Sequence, residues 1–224
     1  MDVSMLLNGL LFYLCFIPVL TFHEFAHAWV AHKCGDDTAK NLGRVSLNPI
    51  VHMEVIGTVV LPLFAIFLAM SNSALAGFII GWGKPVPVDP SNLQNPRRDD
   101  TLIALAGPGI NIILAFLMMG VVKAGVLVRL GGAPQVGEMM FEIGRMLVMV
   151  NLVLAFFNLL PIPPLDGSHV LKNAINMSYE TYWQLTQYGF IAIIVAINIP
   201  FVRALLLWAV DSTTMLLARV YGLT

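Results

Sequence analysis

The chain is 224 residues long, 58% hydrophobic and only 11% charged, with a formal net charge of −1 and a mean hydropathy of +0.82. Soluble domains carry roughly 25% charged residues and about 45–50% apolar ones, so a water-coated globule is excluded, as is disorder, which needs low hydrophobicity and high charge. The balanced charge leaves no basic footprint for nucleic acid, and two cysteines, Cys15 and Cys34, cannot build a disulfide framework.

These constraints predict an all-α polytopic membrane protein with about six hydrophobic helical segments. In chain order they fall at about 4–33, 52–70, 101–122, 143–160, 183–199 and 201–218, against the roughly 20 residues a membrane helix needs. The first exceeds one span, contains Pro18, and carries polar residues from Thr21 to His27 too deep for a surface end. Its start lacks a basic flank and a small-residue cleavage site, so no cleavable leader is expected. Residues 35–51 are too polar to span, and the weak alternation from Gly43 to Leu47 predicts a short strand. Residues 77–90 hold three glycines and three prolines, which forbid a helix and predict an extended, re-entrant segment. Gly131, Gly132 and Pro134 mark a loop before the fourth segment. A short helix is expected at 167–176. The chain thus divides into a core over 1–175 and two C-terminal spans over 176–224.

Loop Lys and Arg residues set orientation. Lys33, Lys40, Arg44, Arg97, Arg98 and Lys172 are placed in the cytoplasm, while Lys123 and Arg129 fall on the other side. This arrangement requires residues 71–96 to return across the bilayer, or dip back into it, without a full helix. Such backbone survives at membrane depth only when buried in protein or lining water.

The chemistry concentrates at His23-Glu24-Phe25-Ala26-His27. On a helix, positions i and i+4 share a face, so both imidazoles can converge on one metal with Glu24 beside its water. Five histidines and five glutamates in the chain leave roughly 0.002 chance occurrences of this pattern. Ionisable groups this deep in an apolar helix are expensive and point to function. Catalytic zinc takes three protein ligands, so a third is needed. Asp166 stands in Asn158-Leu-Leu-Pro-Ile-Pro-Pro-Leu-Asp-Gly167, where Pro161, Pro163 and Pro164 end the preceding helix. It is either that ligand or the N-cap of the next helix. His52 and Glu54 are either groups that steady a ligand or an ordinary helix start. Asn111 bonds either a neighbouring helix or the site, and His169, three residues after Asp166, either bonds near the site or is an ordinary helix residue.

Here the sequence resembles the site-2 protease family of intramembrane zinc metalloproteases (peptidase family M50). The resemblance rests on His23-Glu24-Phe25-Ala26-His27 and on Asn158…Pro161…Pro164-Leu165-Asp166-Gly167. Further stretches look like its compact bacterial and archaeal members: Gly43-Arg-Val-Ser-Leu-Asn-Pro49, His52-Met-Glu54, Gly81-Trp-Gly-Lys-Pro-Val-Pro-Val88 and Gly107-Pro-Gly-Ile-Asn111. The resemblance implies His23, His27 and Asp166 on one Zn2+ per chain, Glu24 as general base, and Asn158 steadying the peptide or its oxyanion. Developing charge on that oxygen needs donors, and by residue type His32 and His169 are further candidates after Asn158. It implies an integral, multi-pass protein of a bacterial or archaeal cell membrane, its active site nearer the cytoplasmic side. The expected substrates are membrane-anchored proteins cut in or near their transmembrane helices. The PDZ or CBS sensing domains that many members carry are not expected here, which leaves the trigger and the substrate open, as it leaves homo-oligomerisation open. The competing classes are a metal or small-molecule transporter, which usually shows repeats absent from this sequence, and a silent relative, against which the retained Glu24 argues.

Overall fold

The computed structural model describes residues 3–70 and 81–223. The chain begins with α1 (Val3–Lys33), followed by the short α2 (Thr38–Asn41). A 3₁₀ turn over Pro49–Val51 leads to a π-helical turn, Val55–Val60, that runs into α3 (Leu61–Met70). Residues 81–89 are extended. They are followed by α4 (Pro96–Leu130), α5 (Pro134–Asn158), α6 (Asp166–Ala174), α7 (Tyr179–Thr186), α8 (Gly189–Asn198) and α9 (Pro200–Val220).

Among the described residues four helices, α1, α4, α5 and α9, are long and apolar enough to cross a membrane. The third and fourth expected segments are longer than read from hydropathy, because α4 and α5 continue through polar ends that still satisfy their backbone bonds helically. The fifth expected segment is broken instead. Its polar half forms α7, and the apolar half restarts at Gly189 as the ten-residue α8. The strand expected from Gly43 to Leu47 does not form: among the described residues there is none, and the stretch turns at Gly43 and bends at Val45 and Ser46. Residues 71–80, part of the stretch expected to dip back into the bilayer, lie outside the described residues.

Helices α4 and α5 form the spine. They return on each other through the Gly131-Gly132 loop. A Cβ at Gly125 would lie 2.8 Å from the Gly137 carbonyl oxygen, so the two backbones touch where no side chain intervenes. Small residues permit this approach where lipid supplies no hydrophobic drive between helices. Ala115, Met119 and Val122 of α4, Val148 and Leu152 of α5, and Leu217 of α9 make one buried cluster. Cys15, Phe16, Val19 and Leu20 of α1 close on Val150 of α5 in a second. Exposed residues such as Leu7, Leu14, Phe116, Leu117, Trp208 and Leu216 face outward, as a lipid-solvated bundle requires. Ile193 of α8 packs on Leu160 and Leu165, so the C-terminal segments are seated on the loop that precedes Asp166.

The loops at the C-terminal end of α1 are stapled by Asp36, which is fully buried. Its carboxylate accepts from the Thr38 amide (3.0 Å) and hydroxyl (2.5 Å), the Asp89 amide (2.8 Å) and the Asn92 side chain (3.0 Å). This joins the exit of α1 to the entry of α4. It also gathers Lys33, Lys40, Arg97 and Arg98 at one end of the bundle. Arg44 and Lys172, counted with them from sequence, are buried and bonded within the protein.

Burial alone would raise the Asp36 carboxyl; the hydrogen bonds from Thr38, Asn92 and the Asp89 amide outweigh it and hold the group below its ordinary value of 3.8. A depressed native pKa stabilises the fold above the ordinary carboxylate value, and that contribution is lost as pH falls through the native value. Asp36→Ala is expected to cost on the order of 2–4 kcal/mol, because it strands buried donors. Thermal unfolding in detergent should show the full gap from wild type near neutrality, closing as pH falls below the carboxylate range.

Candidate metal centre

The site is built where α1 crosses α4 antiparallel. His27 Nδ1 donates to the Ile103 carbonyl at 2.7 Å, and one turn earlier His23 Nδ1 bonds Asn111 Oδ1 at 2.9 Å. A carbonyl oxygen only accepts, so each ring carries its proton on Nδ1 and presents the Nε2 lone pair. The two Nε2 atoms lie 3.0 Å apart. Asp166 Oδ2 sits 3.2 Å from one and 3.4 Å from the other. Asp166 opens α6 and does not cap it: the cap position is Leu165. Its Oδ2 is buried and takes no hydrogen bond from a protein donor.

Two imidazole lone pairs and an orphaned carboxylate oxygen pointed at one another repel unless a cation lies among them. The set His23, His27 and Asp166 is the group of metal-capable side chains that converges among the described residues. Two nitrogens and one oxygen suit zinc, and three protein ligands leave a position free. The Ile103 and Asn111 bonds are the outer contacts that aim such ligands. The donors therefore fit a zinc ion.

Gly107 makes this geometry attainable. A Cβ there would fall 2.6 Å from His23 Cε1 and overlap the His27 ring. Glu24 faces the extended segment 81–89, and a Cβ at Gly83 would come within 3.2 Å of Glu24 Oε1. That segment is fixed by backbone bonds from Trp82 N to Gly57 O (3.1 Å) and from Lys84 N to His52 O (2.8 Å), and by Thr58 Oγ1 donating to Trp82 O (2.8 Å).

A cavity of about 930 Å³ joins these parts. His23, Glu24, His27, Asp100, Asn158, Asp166 and His169 line it. Phe12, Phe16, Val153, Phe157, Phe190 and Ile193 supply apolar wall, and Trp82, Gly83, Pro85, Val86 and Val88 line it as well, the Trp82 ring meeting Phe190 edge-on. Asn158 ends α5 and gives one amide hydrogen to Leu154 O at 2.9 Å.

Not every expected residue gathers here. His52 is buried with Nε2 on the Ser46 carbonyl (2.7 Å), and Glu54 caps the π-helical turn through Gly57 N (2.6 Å). Both shape the shelf under residues 81–85 and bond no ligand side chain. His32 is bonded to Asp37 at 2.5 Å, away from the cavity lining. Sequence reasoning missed the Ile103 carbonyl, Gly83 and Asp100. It held Gly107 only as part of a stretch that looks like the family. A backbone carbonyl has no sequence signal, whereas the glycine beside the quoted Asn111 could have been tied to the histidines by an antiparallel helix pairing.

Replacing Gly107 by Ala should lower zinc affinity about 10–100-fold, the usual cost of disturbing ligand support, with helix content unchanged. Gly109→Ala is the control, since a Cβ there meets nothing within 4 Å. Metal analysis of the purified proteins reads the difference.

Comparison with known proteins places the chain in a family. Residues 11–130 and 126–199 match the family model described as Peptidase family M50. The chain is 37% identical over 188 residues to a Bacillus subtilis protein named "Putative zinc metalloprotease YwhC", covering 82% of this chain and 78% of that one. It is 30% identical over 188 residues to "Putative zinc metalloprotease Rip2" of Mycolicibacterium smegmatis, covering 81% of this chain and 64% of the relative. A Methanocaldococcus jannaschii protein, "Putative zinc metalloprotease MJ0611", is 44% identical over 70 residues, 31% of this chain and 32% of its own. No solved structure matches the chain significantly. The chain belongs to peptidase family M50: it is a zinc metallopeptidase, and its apolar helices make it an integral membrane protein.

Proposed function

We propose that the chain is an intramembrane endopeptidase that hydrolyses peptide bonds in or near the transmembrane segments of membrane-anchored proteins. Its tasks would be regulated intramembrane proteolysis or clearance of signal-peptide remnants, with the site nearer the cytoplasmic side. The observation that carries the reading is the convergence of His23 Nε2, His27 Nε2 and the unbonded Asp166 Oδ2 on a cavity walled largely by apolar side chains. These three residues would hold zinc, which when bound acidifies water and polarises a carbonyl.

The chain's own residues do the rest. Glu24 follows His23 directly and lines the same cavity, so its carboxylate takes the proton from the attacking water and returns it to the leaving amine. Asn158 has a second amide hydrogen beyond the one given to Leu154, and it steadies the substrate carbonyl as charge develops on oxygen. The apolar walls exclude bulk water and accept an apolar substrate segment. A helical substrate has its carbonyls tied up in its own bonds, so it must unwind to be cut. Residues 81–88 are already extended beside Glu24 and offer a backbone edge for the unwound stretch.

Metal content and cleavage of a membrane-anchored peptide, measured in parallel, test this reading. Wild type should hold about one zinc per chain, and His23→Ala and Asp166→Ala should lose zinc and cleavage together. Glu24→Gln should keep zinc while cleavage falls by about 10²–10⁴-fold. Zinc retained in Asp166→Ala, or undiminished cleavage in Glu24→Gln, would overturn the assignments.

A further inference from the structure

Beside the metal-facing residues the cavity holds a second buried polar cluster. Asp100, in the first turns of α4, is 8% exposed. Its Oδ1 accepts from His169 Nδ1 at 3.0 Å. Its Oδ2 takes Lys172 Nζ at 2.8 Å and Asn173 Nδ2 at 2.7 Å. Lys172 lies over the rings of Tyr179 and Tyr182 at 4.4 and 5.0 Å, and the Tyr182 ring also meets the His169 imidazole edge-on at 5.0 Å.

This cluster has a direction. The ion pair with Lys172 would tie α4 to α6 without any imidazole, and buried ion pairs are in general weak contributors to stability. Yet one whole face of Asp100 is given to His169. Lys172 already neutralises that carboxylate, so the ring is not required to carry charge. Because a carboxylate only accepts, the ring proton sits on Nδ1 and the Nε2 lone pair is the acceptor that remains. No described residue bonds Nε2, and His169, a third exposed, lines the cavity one helical turn beyond Asp166. An oriented, unspent acceptor is therefore carried by a residue that lines the space the substrate would fill.

We infer that His169 Nε2 accepts a main-chain N–H of the extended substrate segment, with Asp100 as its positioning residue. The inference rests on the proteolytic reading of the cavity. It names the part of the substrate that is recognised: the peptide backbone beside the scissile bond, independent of side chains. Unwinding frees substrate N–H groups as well as carbonyls, and an N–H left without an acceptor in an apolar cavity is costly. His169 removes that cost for one of them.

The test is a coupling measurement on binding. An apolar transmembrane peptide and a series of analogues, each with one peptide N–H replaced by an ester oxygen, are bound to zinc-loaded Glu24→Gln protein in detergent. His169→Leu in that background should weaken the parent peptide about tenfold. One ester position should weaken binding to the His169 protein by a similar factor, and the two losses should not add. His169→Gln, whose carbonyl can accept, should restore binding to the parent peptide. Additive losses at every ester position, or unchanged affinity in His169→Leu, would overturn the inference. A purely structural His169 gives equal weakening across all analogues and no rescue by glutamine, which also overturns it. Cleavage of the parent peptide by wild type, followed alongside, reports separately on the proposed reaction.

Discussion

The structure depends on one constraint: polar atoms placed deep in an apolar bundle must each be given a partner. In lipid, the cost of an unpaired group cannot be recovered from water. His23 and His27 meet the constraint by crossing α4, one bonding the Asn111 amide and the other the Ile103 carbonyl. Those two bonds orient the rings and lock α1 against α4 in register. The remaining lone pairs can then point only at each other and at Asp166. Stability and chemistry thus draw on the same contacts, because the groups that would be intolerable alone are those that a zinc ion would satisfy.

The rest of the fold can be read as support for that crossing. Gly107 removes the side chain that would stand in the rings, and the Asp36 staple brings the end of α1 to the start of α4. The shelf made by His52, Glu54, Gly57 and Thr58 holds residues 81–85 extended against Glu24. Helix α6 reaches the centre through Asp166 and is tied back to α4 through Asp100 and Lys172. Ser168 Oγ and Tyr182 Oη, both buried, lie 2.9 Å apart, which links α7 to the same helix. The C-terminal segments therefore bear on the turn that presents the third metal-capable group.

Much of the site could be read locally, and the exceptions share a cause. The pair at 23 and 27 is legible because helical periodicity places i and i+4 on one face whatever the surroundings. The loop at 158–167 is legible because three prolines, Pro161, Pro163 and Pro164, stand within four positions, and a helix that absorbs one proline, as α1 and α4 do at Pro18 and Pro108, cannot absorb three so close together. His52 and Glu54 look like site residues by type and by neighbouring motif, but their partners are the Ser46 carbonyl and the Gly57 amide a few residues away. The weak alternation at 43–47 suggested a strand. No edge is offered to it among the described residues, and Arg44 is drawn into bonds with the Val51 and Pro85 carbonyls. The segment expected over 183–199 is not one helix: its polar start belongs to α7, and the apolar α8 begins at Gly189, which packs where a Cβ would strike the Pro163 carbonyl.

By itself, then, the sequence determined the medium, the approximate helices and the chemical type of the centre. Composition decides whether a surface can face water, and short spacings decide which side chains share a helical face. Only the tertiary structure decided what completes the centre. Asn111 lies 88 residues from His23, and the Ile103 carbonyl 76 residues from His27. Asp100 meets His169 across 69 residues, and Gly107 stands against both rings. Such contacts are set by the register in which α1, α4 and α6 pack. That register follows from where small residues allow backbones to close and where buried polar atoms find partners, and no local pattern encodes it.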